Sequence, residues 1–214
     1  MYNIFLFLYS IGLRLVSPWN EKARLWLKGR KRFPVFMGTE QTIWMHCASL
    51  GEFEQGRPLL EEIKKKYPNY KIALSFFSPS GYEVSKNYPG ADYIFYLPMD
   101  NILHARKLIA SLDPALVLWV KYEYWYYYLA ELKKRNIPVI LVSGIFRKNQ
   151  PFFKWYGEIW KKMLGCFDQL FVQDERSVAL LETIGVKKNV LIGGDTRFDR
   201  VIAIAEKNEP VDHI

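Results

Sequence analysis

From residue 42 onward, short apolar runs rich in β-branched and aromatic residues alternate with amphipathic runs of helical period. The apolar runs bounded by Gly, Pro, Asn or Asp are predicted strands: Thr42 to His46, Lys71 to Phe77, Tyr93 to Tyr96, Ala115 to Val120, Pro138 to Ser143, Gln169 to Val172 and Val190 to Ile192. The main predicted helices are Pro58 to Tyr67, Ile102 to Ser111, Tyr124 to Arg135, Phe152 to Leu164 and Ser177 to Ile184. This alternation predicts an α/β fold: a parallel sheet with helices on both faces and ligands beyond the carboxyl ends of its strands.

The composition is that of one folded domain in a reducing compartment. Half of the 214 residues are hydrophobic and 16% are aromatic, which is enough to bury a sizeable core. Cys47 and Cys166 are too far apart in sequence to suggest a disulfide framework. His46, His104 and His213 have no Cys or His neighbours at zinc-like spacing, so we expect no metal site.

Most of the excess positive charge lies at the start of the chain. The formal net charge is +8, and residues 1–32 contain seven Lys and Arg against one Glu, which accounts for +6 of it. A nucleic-acid-binding protein would instead carry basic residues across the surface of its folded body. The charge pattern therefore argues against a nucleic-acid partner.

The first thirteen residues are apolar nearly throughout and uncharged. At 1.5 Å per residue such a helix reaches only about 20 Å, short of the roughly 30 Å hydrocarbon core of a bilayer. Trp19, Trp26 and the basic residues around them are typical of a helix that lies on the cytoplasmic face of a membrane. We predict a monotopic segment on an anionic membrane surface; a helix that packs on the domain or on a partner is the alternative.

The turn after the first predicted strand carries a candidate carboxylate. Ser49 and Glu52 have the spacing of a helix capping box, and Gly51 between them allows a tight turn from strand to helix. A carboxylate here also faces the ligand crevice, where it could take a proton from an attacking sugar hydroxyl. The residues alone favour the cap, because Ser-x-x-Glu matches are common by chance.

Three further turns follow predicted strands. Ser80 and Gly81 open another helix, where hydroxyl and amide groups suit an anion or sugar oxygens as well as a plain capping turn. Glu123 and Trp125 combine a carboxylate with an aromatic face, as sugar sites do, although aromatic residues here also suit helix packing. Arg147 is a candidate for a phosphate contact or a solvated side chain.

Motifs for several common enzyme classes are missing. Gly193-Gly194-Asp195 lacks the spacing of a dinucleotide-binding fingerprint, and no G-x-S-x-G nucleophile elbow occurs. A dehydrogenase, a P-loop enzyme and an α/β hydrolase are therefore disfavoured, and no cofactor is expected.

Taken together, these stretches resemble the amino-terminal half of the 3-deoxy-D-manno-octulosonic acid (Kdo) transferases, the glycosyltransferases of lipid A biosynthesis. The resemblance covers nearly the whole chain. It rests on separated motifs in family order: Arg24 to Arg30, His46 to Glu52, Ser78 to Gly81, Glu123 to Trp125 and Gly194 to Asp199. Several motifs in order are far more specific than any one of them.

The resemblance implies the GT-B architecture, in which a Rossmann-like amino-terminal domain holds the acceptor and a carboxy-terminal domain holds the donor CMP-Kdo. It implies transfer of Kdo to a lipid A precursor (lipid IVA) at the cytoplasmic face of the bacterial inner membrane. Glu52 would be the catalytic base that deprotonates the acceptor hydroxyl, without a metal. The substrate-binding residues that it suggests are Ser49, Gly51, Ser80, Gly81, Glu123, Trp125 and Arg147.

The implied layout has three parts. Residues 1–32 are the membrane-associating segment, residues 33–200 the acceptor-binding domain, and residues 201–214 the start of the interdomain connection. Because the chain stops about where the family enters its donor domain, we expect a truncated or incomplete chain that does not transfer sugar by itself. The alternative is a non-catalytic membrane-surface module that binds an anionic glycolipid.

Two motifs depart from the family pattern. Kdo transferases usually have Glu-Thr-Glu-Leu-Trp-Pro where this chain has Lys121 to Tyr126, so the first acid and the proline are absent. Their Asn-Ala-Arg-Leu-Ser is replaced from Ser143 to Arg147. We therefore expect local contacts to the acceptor to differ from those of the family.

Overall fold

The computed structural model describes residues 2–36, 38, 40–121 and 123–194. In these ranges the strands are β1 (Thr42–Cys47), β2 (Lys71–Phe76), β3 (Tyr93–Tyr96), β4 (Pro114–Val120), β5 (Val139–Gly144), β6 (Gln169–Val172) and β7 (Val190–Ile192). The helices are α1 (Tyr2–Val16), α2 (Glu21–Gly29), α3 (Leu50–Lys66), α4 (Pro79–Ser85), α5 (Ile102–Leu112), α6 (Tyr126–Lys134), α7 (Glu158–Leu164) and α8 (Glu175–Glu182), with a 3₁₀ turn at Pro151–Phe153.

The strands form one parallel sheet in the order β3-β2-β1-β4-β5-β6-β7. The sheet grows outward from β1 to β3 and then restarts on the other side of β1 with β4, so the strand order reverses between β1 and β4. In such sheets ligands bind beyond the carboxyl ends of the strands at this point. The predicted α/β fold is confirmed, and each predicted strand lies within one residue of its expected ends.

Alternate side chains of the central strands fill two cores, one on each face of the sheet. Trp44 and Trp119 lie on the face covered by α5 and α6, whereas Met45 and Leu118 lie on the face covered by α3. All four side chains are buried. Helices on both faces leave the carboxyl edge of the sheet as the place where turns and side chains are available to a ligand.

Helix α3 begins at Leu50, eight residues before its predicted start at Pro58. The expected tight turn at Gly51 is therefore wrong: this glycine lies inside the first helical turn and does not have a positive φ. The helix continues through Pro58 although proline removes a backbone hydrogen bond. Close packing favours it, since a Cβ added at Gly56 would lie 2.8 Å from the Met45 Sδ atom.

The single helix predicted from Phe152 to Leu164 is also wrong. The chain instead makes the 3₁₀ turn and starts α7 at Glu158. Gly157 separates the two, at a point where a Cβ would collide with the carbonyl oxygen of Pro151.

Helices α1 and α2 pack on the sheet domain. Leu6 and Trp26 are buried in the same core as Trp44, as in the alternative in which the first helix packs on the domain. The opposite side of α1 exposes large apolar side chains, including Ile4, Phe5, Phe7 and Leu8. Among the described residues, no helix combines the length and hydrophobicity needed to cross a bilayer.

Candidate functional site

Glu52 lies in the first turn of α3, directly after β1, and is half-buried. Ser49 occupies the N-cap position with an extended backbone, but its side chain makes no capping hydrogen bond. Its hydroxyl instead donates to Oε2 of Glu52. The Ser49 side chain therefore holds the Glu52 carboxylate, and the expected cap from this hydroxyl is not formed.

The surroundings of Glu52 differ on its two sides. On the inner side, burial and the charge of Glu52 raise the pKa of the Cys47 thiol well above its usual value, so this cysteine stays neutral. On the outer side, Gly51 is exposed, and apart from its chain neighbours and the helix backbone a Cβ added there would meet only the Ser49 Oγ atom, at 3.9 Å. Space is therefore open at Gly51, next to Glu52 in the chain.

The turn after β2 is joined to this turn through the backbone. The Ser78 amide donates to the Ala48 carbonyl oxygen (2.7 Å). Ser78 caps α4 by accepting from the Ser80 amide (3.3 Å), and the two hydroxyl oxygens are 3.0 Å apart. Ser80 is exposed. The lack of a side chain at Gly81 allows close packing, because a Cβ there would collide with the ring of Phe76.

Glu123 follows β4 and contacts a buried imidazole. Its Oε2 atom lies 3.5 Å from Nε2 of His46, a side chain with no exposed surface. Ser75 Oγ lies 2.9 Å from Nδ1 of His46 and accepts from the indole N–H of Trp44 at 2.8 Å.

The groups beside His46 are a hydroxyl on one side and a carboxylate on the other. An indole N–H can only donate, so Ser75 Oγ accepts from Trp44, and the same hydroxyl can donate to or accept from Nδ1. The Nε2 atom faces Glu123. At 3.5 Å this contact is too long for a strong hydrogen bond, and the Nε2 atom has no other partner in the described part of the chain. In the sequence, His46 is distinguished only as part of the motif from His46 to Glu52.

Glu123 and Trp125, both predicted as site residues, contact each other. The indole of Trp125 donates to Oε2 of Glu123 (3.2 Å) and packs on Phe77 with ring centroids 4.6 Å apart. Both residues line a cavity of about 780 Å³ between the start of α1 and α7. The other lining residues are mostly aromatic, among them Tyr2, Phe5, Tyr124, Tyr126, Tyr156 and Trp160. A carboxylate among aromatic faces can bind a sugar hydroxyl while a ring packs beside it.

The backbone turns sharply at two neighbouring strand ends. Lys121 after β4 and Ser143 at the end of β5 have φ angles of 60° and 55°. Residues other than glycine rarely adopt this left-handed region. Strained residues of this kind cluster at functional sites. Arg147, further along, is exposed, and its backbone amide donates to Gln150. Its guanidinium bonds none of the other candidate site residues in the described ranges.

Two further residues near this edge are not marked as site residues by any pattern in the sequence. The first is Arg30, which counted only as one member of the basic cluster. The second is Asp100, which is buried and accepts from the hydroxyl of Tyr2 (2.5 Å) and from two amides at the start of α6, Tyr127 (3.0 Å) and Tyr128 (3.2 Å). Burial raises the pKa of Asp100 to about 6. No local pattern marks either residue, because their partners are distant in sequence.

Some expectations lie outside the described residues. These are Tyr122, most of the motif ending at Asp199, and the boundary proposed at residue 200.

The fold is that of one Rossmann-like half of a GT-B-type protein. A UDP-N-acetylglucosamine 2-epimerase from Rickettsia bellii is similar over 81% of this chain and 50% of its own, with 16% identity and a TM-score of 0.60. The epimerase from Neisseria meningitidis is similar over 78% of this chain and 50% of its own, with 16% identity and a TM-score of 0.56. At this identity the likeness concerns the fold alone.

The family is identified by sequence. The family model described as 3-deoxy-D-manno-octulosonic-acid transferase (kdotransferase) matches residues 19–200. The chain therefore belongs to the Kdo transferase family, within its amino-terminal region, and the resemblance found in its motifs is confirmed.

Curated relatives agree with the family match. A 3-deoxy-D-manno-octulosonic acid transferase of Haemophilus influenzae is 28% identical over 74% of this chain and 38% of its own length. That of Chlamydophila psittaci is 25% identical over 88% and 46%. A bifunctional glycosyltransferase/methyltransferase of Fusobacterium nucleatum is 27% identical over 92% and 31%. The chain spans less than half the length of these relatives.

Proposed function

We propose that this chain is the acceptor-binding half of a glycosyltransferase that transfers Kdo from CMP-Kdo to a lipid A precursor. A second domain would hold the donor. The family supports the reaction class, and the α/β fold with its crevice at the carboxyl edge supports a substrate site there.

The observation that carries the proposal is the state of Glu52. Its carboxylate is held by the Ser49 hydroxyl, while Ser49 makes no side-chain cap on α3. In the role of general base, Glu52 would accept the proton of the acceptor hydroxyl as that oxygen attacks the anomeric carbon of Kdo. The Ser49 hydroxyl would fix the orientation of the carboxylate, and the open space at Gly51 would admit the acceptor.

The remaining acceptor contacts are proposed at both sides of Glu52. Exposed Ser80 suits a sugar hydroxyl, and Gly81 would keep its turn close to the sheet. Glu123 and Trp125 would contact the acceptor from their shared cavity, and Arg147 would meet an anionic group. The exposed apolar side of α1 supports association with the cytoplasmic face of the inner membrane, where the lipid acceptor would lie.

The test is mass spectrometry of a lipid A precursor incubated with CMP-Kdo and the full-length gene product. We expect a gain of Kdo mass. Replacing Glu52→Gln should lower the rate by about 10²–10⁴, the usual contribution of a general base. Glu54→Gln is the matched control, because Glu54 is also half-buried in α3 and lies 3.9 Å from Arg57.

The outcomes separate the parts of the proposal. Full activity of a folded Glu52→Gln protein would keep the transferase and remove the base. Absence of transfer by the unaltered full-length protein would refute the proposed reaction and leave a glycolipid-binding module. Equal losses in the Glu52→Gln and Glu54→Gln proteins would point to a general disturbance of α3.

A further inference from the structure

A second cavity, distinct from the one lined by Glu123, lies between α1, α2 and the end of β3. Its volume is about 600 Å³. Its basic lining residues are Arg14, Arg30, Lys31, Arg32 and His104, and Ser10 adds a hydroxyl. Among the described residues that line it there is no Asp or Glu. The cavity therefore presents several positive charges without a counter-charge in its wall.

Arg30 is the basic residue of this cavity whose side chain is held in place by contacts with the domain. Its guanidinium donates to three carbonyl oxygens, those of Phe77 (2.7 Å), Leu97 (2.8 Å) and Trp26 (3.4 Å). It also lies over the rings of Trp26 at 3.9 Å and Tyr96 at 5.0 Å. These are neutral partners. Glu123 acts on Arg30 electrostatically, but in the described part of the chain no carboxylate lies within ion-pair distance of it.

Burial disfavours the positive charge of Arg30. It lowers the pKa of Arg30 to about 9, and the side chain remains charged at neutral pH. A buried charge without a partner is unfavourable, and an anion beside it removes that penalty. Trp26 adds a second unused group: its indole N–H is buried without a hydrogen-bond partner among the described residues.

Carboxylates on neighbouring elements are engaged elsewhere. Glu83 accepts from Lys86 (2.8 Å) and Tyr96 (3.2 Å). Asp100 accepts from Tyr2 and from the start of α6.

Glu123, which acts electrostatically on Arg30, accepts from Trp125 at 3.2 Å. In the described part of the chain, no carboxylate forms an ion pair with Arg14, Arg30 or Arg32, so these guanidinium groups are available to a ligand.

Two exposed apolar side chains are close in sequence to residues that line the cavity. Phe7 is 65% exposed and lies one helical turn before Ser10 on the same side of α1. Leu103, next to His104, is 72% exposed. The helices that contribute Ser10 and His104 to the cavity therefore also carry exposed apolar side chains that suit hydrocarbon.

We propose that this cavity binds a phosphate monoester group, with Arg14, Arg30 and Arg32 as its ligands. Guanidinium groups match phosphate oxygens in pairs, and several of them match the double negative charge of a monoester. The inference deepens the proposed function and rests on it only for the identity of the ligand, since a phosphorylated lipid acceptor would gain a second attachment point here. Free phosphate and the phosphate of an amphiphile share this chemistry.

The test is calorimetric titration of the chain with three probes: inorganic phosphate, dodecyl phosphate below its micelle concentration, and dodecyl maltoside as an uncharged amphiphile. The double variant Arg14→Gln with Arg32→Gln removes two charges from the cavity. The matched control, Lys22→Gln with Arg24→Gln, removes two exposed charges from α2 outside the cavity. We expect the first pair to raise the Kd of the phosphate probe at least tenfold and the control pair less than twofold.

The probes distinguish the sources of the phosphate. Cavity-dependent binding of inorganic phosphate supports the site and shows that free phosphate suffices. Cavity-dependent binding of dodecyl phosphate alone supports the site and assigns it to an amphiphile.

Other results overturn the inference. These are no binding of either phosphate probe, equal weakening by both double variants, or equal binding of dodecyl maltoside. The titration needs neither donor nor transfer, so it can fail while Kdo transfer by the full-length protein succeeds, and the reverse also holds.

Discussion

The carboxyl edge of the sheet has two sides that are held together differently. At the turns after β1 and β2, side chains bond to close sequence neighbours: Ser49 to Glu52, and Ser78 to Ser80. Around α1, α2 and the β4–α6 turn, local bonds such as that of Trp125 to Glu123 are joined by bonds between residues far apart in sequence. Tyr2 reaches Asp100 across 98 positions, and Arg30 reaches the Leu97 carbonyl across 67.

The two sides of the edge therefore have different roles: the first carries the residues proposed to act on the substrate, and the second carries residues that stabilise the fold. The local side can place a carboxylate and hydroxyl groups with few residues, so substitutions there should change activity more than stability. The distant side ties helices to the sheet, so substitutions there should lower the free energy of unfolding.

The largest expected effect is at Trp26, on the side of the edge that is held by contacts between residues far apart in sequence. Its side chain is buried against Tyr9 and Phe77 and lies under the Arg30 guanidinium. Trp26→Ala should lower the free energy of unfolding by about 3–5 kcal/mol, the usual range for a buried aromatic residue. The measurement is urea unfolding followed by circular dichroism.

Trp19 supplies the control for Trp26, because it lies in the same α1–α2 region and is 87% exposed. Trp19→Ala should stay within about 0.5 kcal/mol of the unaltered protein. Similar small changes in both variants would mean that α1 and α2 contribute little to the stability of the domain, and the division would fail.

A smaller effect with a pH dependence is expected at Asp100. The pKa of an aspartate in the unfolded chain is about 4, whereas the pKa of Asp100 in the folded protein is raised to about 6. Between these values the folded state binds more protons. The contribution of this group to stability is therefore fully present below about pH 4 and is lost as the pH rises through about 6. The loss amounts to about 3 kcal/mol at most.

The measurement is the difference in unfolding free energy between the unaltered protein and Asp100→Asn at pH 4 to 7.5, which cancels the other titrating groups. The difference should move in favour of the variant as the pH rises. Tyr2→Phe sharpens the test: the Tyr2 hydroxyl lowers the pKa of Asp100 by donating to it, so its loss should shift the decline to higher pH. A pH-independent difference would show that Asp100 titrates alike in both states.

The same division explains what could be predicted from the sequence. The strands and the turn carrying Glu52 follow from apolar runs and short motifs, which act over a few residues. The cluster of His46 with Glu123 and the position of Arg30 depend on which strands become neighbours, and no local pattern carries that information. The start of α3 cannot be predicted from the sequence, because Pro58 is typical of a first helical turn, whereas the close approach of Gly56 to Met45 depends on how α3 packs on the sheet.

The smallest expected effect compares two serines at equivalent N-cap positions. Ser78 accepts from the Ser80 amide, whereas Ser49 makes no side-chain cap and donates to Glu52. Ser78→Ala should lower the free energy of unfolding by about 1 kcal/mol, as loss of a cap does, and Ser49→Ala should change it by less than about 0.5 kcal/mol. Urea unfolding of both variants under one condition is the measurement. Equal losses would make Ser49 a structural cap like Ser78, and its hydroxyl could then no longer be separated from the stability of α3 when the role of Glu52 is judged.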